Sequence, residues 1–450
     1  MAMKKWLLRI LMLLVVVSIA GFFFAKSYIT RDFIVAKIEK SINSRIQIKD
    51  LDVHFYGLVG TVDLKDVIIS QRDSNADDKV PHDQRSKIES GDIKVKSASF
   101  NLSIWEILSK KILVEEIDFD GMVVNVTLFE DGDSSIEKLF AKPDKKKRSK
   151  KVKKFNANDN EKFVTMIKEI KFSDLEVNLI VEKTQLAVKG SGIDIELLDI
   201  NVNPKQLDTV NNAKVKVSGT FDLHSLDTDA EYGMIVARGE SDVTLFNTEN
   251  GDLEPDMVVA ITVGSESYLT SKIPVISKLW KVTDVVKKFG VKSFKLPEKV
   301  TFKNDQSVRV GYKLGVGTLL DPMSIKIKGW ELEFLAQSWL GSGNDMHDVG
   351  VKLHIGNAIS NKLGGLLSKS SKVEGLLGKL TGGDSLLENG KLTLQIGSSG
   401  ELSKPKIRLR NNIGKPVEGV LDHLLGGKHK GSSKDKLKKA GKDLLKGFLK

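Results

Sequence analysis

Apolar and polar residues alternate with a period of two along most of this chain. The alternation begins at Ile46 and Ile48 and recurs in short segments as far as Ile407 and Leu409. Because successive side chains of a β-strand point to opposite faces of its sheet, the pattern predicts strands with one apolar and one polar face. The number of segments, roughly fifteen or more, predicts a large sheet in which neighbouring strands are mostly antiparallel.

Little helix is available to cover such a sheet. Helical periodicity occurs in residues 30–45, where Thr30 can cap the helix, and again in 273–289 and 358–380. With so few covering layers, a long sheet must curl on itself or leave an apolar face open. We therefore predict a mainly β fold, in which an elongated, curved, mostly antiparallel β-sheet forms a groove accompanied by a few short amphipathic helices. An ordinary closed core is the alternative, and composition alone does not decide between the two.

The net charge of +11 first suggests nucleic acid or an anionic membrane as a partner. The charge is concentrated in residues 1–31, 142–154 and 428–450, which carry +5, +8 and +7, so that the remainder carries about −9. A mildly acidic body argues against a nucleic-acid-binding surface across a domain, and we predict no nucleic-acid partner. The absence of cysteine excludes disulfide scaffolds, thiol nucleophiles and Cys-ligated metal centres.

Residues 6–25 form an apolar run interrupted by only two polar side chains. A run of about 20 such residues spans the hydrocarbon core of a bilayer. Lys4 and Lys5 precede the run, so the positive-inside rule places the N-terminus in the cytoplasm and the bulk of the chain beyond the membrane. The alternative is a cleaved signal peptide, for which Ser18-Ile19-Ala20 resembles a cleavage site. Either interpretation predicts an exported body.

Two basic segments each have two interpretations. The Lys-rich run 142–154 lacks apolar periodicity and is either a solvated loop or a segment that contacts anionic lipid headgroups. The tail 434–450 has helical periodicity and contains seven lysines, most of them outside its apolar face. That face contains Leu437, Leu444, Leu445 and Phe448. The tail is therefore either a helix packed on the body or an amphipathic helix at a membrane surface.

No motif in the sequence indicates catalysis or cofactor binding. The phosphate-binding loop, the Gly-x-Ser-x-Gly nucleophile elbow and the His-Glu-x-x-His zinc motif are all absent. The nearest approach to a metal cluster, residues 345–348, is interpreted as a surface loop between Gly343 and Gly350. The stretch 227–229 is interpreted as a plain turn. We therefore predict no catalytic residues, no metal ligands and no cofactor, and a protein that is not an enzyme.

Several stretches follow the pattern of one known protein family. The order of membrane anchor, helix 33–44 and strand 45–55 is similar to the N-terminal region of that family, and residues 60–70 resemble its next strand. The most specific stretch is 96–121, which ends in Asp120-Gly121 and is followed by strand 124–128 and an Asp-Gly turn beginning at Asp131. Near the end, Gly400-Glu-Leu-Ser-Lys-Pro-Lys resembles the family's closing strand. These stretches resemble the AsmA family, and the resemblance covers about 30–140 and 385–412.

The resemblance implies a single-pass inner-membrane protein whose bulk faces the periplasm of a double-membrane bacterium. It also implies a role in outer-membrane biogenesis, with phospholipid acyl chains as partners held along an apolar β-groove. Val124, Val126 and Leu128 are our candidates for groove-lining residues, and the tail is our candidate for the membrane surface. A structural scaffold that assists outer-membrane protein assembly, with envelope protein partners of unknown identity, is the alternative function.

This interpretation divides the chain into five parts. Residues 1–31 form the transmembrane anchor, and 32–141 form a helix and sheet similar to the N-terminal part of AsmA proteins. Residues 142–160 are the Lys-rich loop, 161–412 continue the β-groove with inserted helices and the closing strands, and 413–450 form the basic amphipathic tail.

Overall fold

The computed structural model describes residues 30–409, and residues 1–29 and 410–450 lie outside the described part. Further gaps fall at 57–58, 74–76, 78–79, 81–83, 104–110, 132, 141–163, 204–205, 250, 252, 274–276, 278–297, 303, 328–329, 342–345, 357–386, 389–390 and 402–405. The predicted membrane span, the Lys-rich run 142–154, helix 358–380, the tail 434–450 and nearly all of helix 273–289 therefore lie outside the described residues. Among the residues described, no helix is both long and apolar enough to cross a bilayer.

The described elements are mostly strands, which confirms the prediction of a mainly β protein with few helices. The helices are α1 (Arg31–Ser41) and α2 (Ser135–Phe140), with a 3-10 turn at Glu182–Thr184. The first strands are β1 (Ser44–Tyr56), β2 (Val59–Gln71), β3 (Ile93–Ser103), β4 (Lys111–Leu128), β5 (Val164–Ile167), β6 (Ile170–Val181), β7 (Leu186–Val202), β8 (Asn211–Ser225), β9 (Glu231–Phe246), β10 (Leu253–Val263) and β11 (Tyr268–Thr270). The later strands are β12 (Lys299–Thr301), β13 (Gln306–Lys313), β14 (Val316–Leu319), β15 (Met323–Ile327), β16 (Trp330–Phe334), β17 (Trp339–Gly341), β18 (Met346–Ile355), β19 (Leu387–Glu388), β20 (Lys391–Glu401) and β21 (Lys406–Leu409).

These strands belong to one sheet, in which consecutive long strands pair mainly antiparallel, as the alternation predicts. The exception is β4, which pairs in parallel with both β5 and β6. A parallel connection must return the chain to the same end of the sheet. Here α2 lies between β4 and β5 in the chain. The sheet is therefore mixed, with a parallel junction between an N-terminal part (β1–β4) and a longer part that begins at β6.

The strand registers align the apolar residues into one continuous face. One row of directly paired residues runs through Leu51, Leu64, Ala98, Phe119, Phe172, Ile195, Val217, Gly239, Ile261 and Val308. The row beside it, one residue away on every strand, runs through Asp52, Asp63, Ser99, Asp118, Lys171, Glu196, Lys216, Glu240, Ala260 and Arg309. Because neighbours along a strand point to opposite faces, the first row defines an apolar face and the second a polar face.

A line of bulges crosses the first part of this sheet. Residues with positive φ interrupt the registers at Asp66 (50°), Gly121 (59°), Asp174 (52°) and Gly192 (53°). Asp tolerates this left-handed conformation better than most residues, and Gly adopts it freely. Each bulge keeps the apolar residues on one face while shifting their spacing from two to three, as between Leu64 and Val67. Two segments that appear separate in the alternation therefore belong to one long strand that continues through the bulge.

The prediction of one strand over residues 325–334 is wrong. The alternation through residues 325–334 predicts a single strand, but the chain forms a hairpin there. Met323 pairs with Phe334 and Ile325 with Leu332, so β15 and β16 are antiparallel partners. Ile327 pairs directly with Trp330, so the chain reverses between these two residues. Apolar residues alternate on both sides of the reversal, and only the spacing of three between Ile327 and Trp330 interrupts the pattern.

Candidate apolar binding surface

The two helices cover the apolar face of the N-terminal part of the sheet. Ile34 and Ile38 of α1 and Leu139 and Phe140 of α2 are buried in one cluster with the apolar residues of β1–β4. The hydroxyl of Ser44 donates a hydrogen bond to the carbonyl of Leu139, at 2.5 Å, and so joins the start of β1 to α2. This part of the sheet therefore has a filled core beneath the two helices.

Beyond β4, the same face loses this cover among the residues that the structure describes. Many of its side chains on β6–β9 are only half-buried, although they lie in register with the buried ones, and the same strands also carry the buried residues Ile170, Leu175, Ile193, Ala213 and Val243. We call this the uncovered face, and it comprises Phe172, Val177, Leu179, Val188, Ile195, Leu197, Val215, Val217, Phe221, Leu223 and Ile235. A contiguous exposed apolar surface of this kind typically marks a site of contact with a ligand, a membrane or another protein.

Two glycines shape the middle of the uncovered face. Ile193 is buried there because its side chain lies over Gly190 and Gly219. A Cβ added at Gly190 would lie 2.6 Å from Ile193 Cδ1, and one added at Gly219 would lie 2.8 Å from Ile193 Cγ1. The two glycines therefore leave the space that the Ile193 side chain occupies against the backbone of β7 and β8.

The three groove-lining candidates all lie on the apolar face of β4. Val124 is 5% exposed and belongs to the buried cluster. Val126 is partly buried against that cluster, and Leu128 forms a bridge with Ser134 at the end of the strand. The larger uncovered face lies on the following strands, which the sequence analysis did not single out. Their alternation is the same as that of β1–β4, so no local pattern separates covered from uncovered strands.

The opposite face carries a polar ladder that holds the parallel junction. Lys171 on β6 contacts Glu116 on β4 at 2.9 Å and Glu169 at 3.0 Å. The hydrogen bond from Lys171 holds the pKa of the Glu116 carboxyl below its ordinary value. Asn101 donates a further hydrogen bond to Glu116, at 3.2 Å. This ladder explains why charged residues occur in the middle of long strands, since they lie on the face that meets water.

One edge of the uncovered face is acidic. The turn after β4, the turn between β6 and β7 and the turn between β8 and β9 lie side by side at this edge. The amide of Glu130 donates to Glu182 at 3.3 Å, and that of Leu226 donates to the carbonyl of Gln185 at 2.9 Å. We call the carboxylates on these turns the acidic edge, namely Glu130, Asp131, Asp133, Glu182, Asp227 and Asp229. The turn predicted at 227–229 is thus confirmed.

The described residues contain no group of three or more metal-ligating side chains close enough to hold an ion. The nearest arrangement to a nucleophile–base pair is His347, whose Nε2 lies 2.7 Å from Ser398 Oγ while its Nδ1 lies 2.7 Å from the carbonyl of Gly400. Both side chains are buried, at 2% and 3% exposure, so a substrate has no access to them. They connect β18 to β20 in the interior.

His347 also corrects an interpretation of the sequence. The polar stretch 345–348 predicts a surface loop, but this prediction is wrong, because β18 begins at Met346 and His347 is buried. The reason is that its two hydrogen-bonding partners lie more than fifty residues away in the chain. A local pattern of polar residues carries no information about such distant partners.

Comparison with known proteins places the chain in a family. The model of the AsmA family matches residues 2–240, which include α1, α2, strands β1 to β8 and most of β9. The closing strand near Gly400, where the sequence also resembles the family, lies outside the matched residues. No curated protein matches the chain, and no solved structure matches it. Since the family model covers more than half of the chain, this protein belongs to the AsmA family.

Proposed function

We propose that this protein is a non-enzymatic component of the cell envelope that holds or conveys phospholipid by its acyl chains. In this proposal, residues 6–25 anchor the chain in the inner membrane and the sheet extends into the periplasm. Membership of the AsmA family supports an envelope-associated role. The lipid-holding role is our own inference from the sheet.

The observation that carries the proposal is the change in burial across the parallel junction. Phe119 on β4 is 6% exposed, whereas its direct partner Phe172 on β6 and the next two residues of the row, Ile195 and Val217, are half-buried. An apolar face that remains half-buried over several strands fits a surface that another apolar molecule completes.

The energetics favour acyl chains as that molecule. Each CH₂ group moved from a bilayer into water costs about 0.8 kcal/mol, so a lipid cannot readily leave a membrane unaided. A continuous apolar face removes most of this cost without any chemistry. The polar face and the strand ends remain in water, where lipid headgroups also remain solvated. We further propose that the sheet curves around the chains as a groove.

Mass spectrometry of lipid extracted from the full chain, purified in mild detergent, tests the proposal. We expect bound phospholipid in the wild-type protein and transfer of labelled phospholipid between liposomes. Val217→Asp places a charge on the uncovered face and should reduce both signals. Ser218→Asp changes the adjacent residue on the polar face of the same strand and is the matched control. Absence of both signals from folded wild-type protein would contradict the lipid-holding role.

A second candidate function is a structural scaffold that assists outer-membrane protein assembly. Its support is β1, a strand of 13 residues that pairs only with β2 among the described residues. Such an edge can recruit a partner strand through main-chain hydrogen bonds. Under this alternative, the wild-type protein yields no phospholipid, and Val217→Asp leaves partner recruitment unchanged.

A further inference from the structure

The C-terminal tail complements the uncovered face in both polarity and charge. Residues 434–450 have the sequence pattern of an amphipathic helix, with seven lysines and an apolar side that includes Leu444 and Phe448. The uncovered face is apolar, and the acidic edge that borders it carries six carboxylates with Lys183 as the lysine among them. The apolar side of the tail can therefore contact the uncovered face while the lysines of the tail lie near the carboxylates of the acidic edge.

We propose that residues 434–450 dock on the uncovered face of β6–β9, with their lysines directed at the acidic edge. The docked tail occupies the surface that the proposed function gives to acyl chains, so it competes with lipid and regulates loading. The claim that the tail regulates lipid loading rests on the proposed function. The docking itself rests only on the shape, polarity and charge of the described surface.

The dimensions of the tail and the surface agree. A helix of 17 residues is roughly 25 Å long at 1.5 Å per residue. The strands from β6 to β10 are five neighbours joined by four pairings, so their axes span roughly 19 Å at 4.8 Å per pairing. A helix lying across the strands therefore covers the half-buried side chains of the uncovered face.

The connection between the body and the tail is long enough. Eight successive strand pairings separate β21 from β8, a path of roughly 38 Å at 4.8 Å per pairing. Residues 410–433 separate β21 from the tail, and 24 residues reach roughly 80 Å when extended. Because tail and surface belong to one chain, the effective concentration of the tail at this surface is on the order of millimolar.

The acidic edge favours the tail over an anionic membrane as the occupant of this surface. Asp227 and Asp229 are exposed on the turn between β8 and β9 and would repel anionic headgroups at that edge. The same carboxylates attract lysine side chains, and this attraction weakens with added salt. A membrane surface is the competing partner for the tail, and the experiment separates the two.

Cysteine cross-linking provides the test, because the chain contains no native cysteine. Ile235→Cys lies on the uncovered face of β9, and Glu240→Cys lies exposed on the polar face of the same strand. Each is combined with Phe448→Cys in the full chain, reconstituted in phosphatidylcholine nanodiscs and treated with a short bifunctional maleimide. We expect a cross-link from residue 235 and background from residue 240. Equal yields at the two positions would overturn the docking, as would labelling of Phe448→Cys by a lipid-borne probe alone.

Charge reversal tests the acidic edge, and tail deletion separates this inference from the proposed function. Asp227→Lys with Asp229→Lys should reduce the cross-link to residue 235 roughly fivefold, and an unchanged yield would remove the edge from the docking. Deleting residues 428–450 should increase uptake of a fluorescent acyl chain. A cross-link that forms while no variant takes up acyl chains would refute the proposed function and leave the docking intact.

Discussion

Phe119 and Phe172 stack face to face across the parallel junction, with ring centroids 5.0 Å apart and ring planes 13° apart. Phe119 also meets Phe100 edge to face, at 6.0 Å, inside the cluster covered by the helices. Phe172 begins the uncovered face. This pair therefore marks the boundary between the filled core and the surface that we propose for ligand binding.

The first prediction concerns this pair. Phe119→Ala removes a buried ring and should reduce the free energy of unfolding by about 3–5 kcal/mol. Phe172→Ala removes a ring that is only partly buried, so its effect should be smaller, about 1–2 kcal/mol. Urea denaturation followed by circular dichroism measures both. Equal losses would show that β6 is covered as fully as β4.

The second prediction concerns charged substitutions on either side of the junction. Val124→Asp places a carboxylate in the filled core and should prevent folding or reduce stability by several kcal/mol. Val188→Asp lies on the uncovered face of β7, where water can solvate the new charge, so the folded state should persist. Thermal unfolding and limited proteolysis compare the two variants. If Val188→Asp also fails to fold, the uncovered face is a closed core in the native protein.

The third prediction concerns a buried ion pair at the start of the sheet. Arg85 Nη1 lies 2.7 Å from Glu39 Oε2, and the two side chains are 9% and 3% exposed. Glu39 Oε1 also accepts a hydrogen bond from the amide of Ile46 at 3.0 Å. Because removing one partner leaves the other charge buried, Arg85→Ala should reduce the free energy of unfolding by about 3–5 kcal/mol.

The double variant provides the control for this ion pair. Replacing both Glu39 and Arg85 by Met removes the two charges together, so it should recover part of the stability lost in Arg85→Ala. Denaturation of Glu39→Met, Arg85→Met and the double variant gives the coupling energy. A loss in the double variant equal to the sum of the two single losses would indicate that the charges do not interact.

The fourth prediction concerns Asp118, on the polar face beside Glu116. Burial raises the pKa of the Asp118 carboxyl, and its Oδ1 atom has no hydrogen-bond partner among the described residues. The ionised form is therefore penalised in the folded state at neutral pH. Asp118→Asn should raise the free energy of unfolding at pH 7 by up to about 1 kcal/mol.

The pH dependence of this gain has a definite sign. As the pH falls through the raised pKa of Asp118, the wild-type side chain becomes protonated and the benefit of Asp118→Asn disappears. Glu116 behaves oppositely, because its lowered pKa stabilises the fold above its unfolded value and this contribution is lost in acid. Asp52→Asn, at an exposed position in the same row, is the control and should change little. A gain from Asp118→Asn that persists unchanged in acid would contradict burial as its cause.

The sequence predicted where strands occur more accurately than it predicted how long each strand is. The segments around Leu64 and Val67 appear separate in the alternation, because three residues rather than two separate these apolar positions. The structure shows that Asp66 forms a bulge between them and that β2 continues. The same spacing of three recurs between Phe172 and Leu175, beside Asp174. A spacing of three that recurs in several strands is therefore the sequence signal that indicates these bulges.

The candidate surface was only partly predictable. The alternation indicated an apolar face and correctly placed Val124, Val126 and Leu128 on it, but it could not show that α2 packs against that part of the face. Leu139 and Phe140 lie in a helix of only six residues, too short for its pattern to identify the strands it covers. Coverage depends on contacts between elements that are distant in the chain.

The sequence by itself determined that this protein is mainly β, with one apolar and one polar face on each strand, because side-chain direction in a strand depends only on the parity of neighbouring residues. It also excluded thiol chemistry. Only the tertiary structure decided where the parallel junction falls, which strands the helices cover and where the face is left half-exposed. These features depend on the packing of α1 and α2 over β1–β4 and on pairing across long connections, and neither leaves a local pattern in the residues.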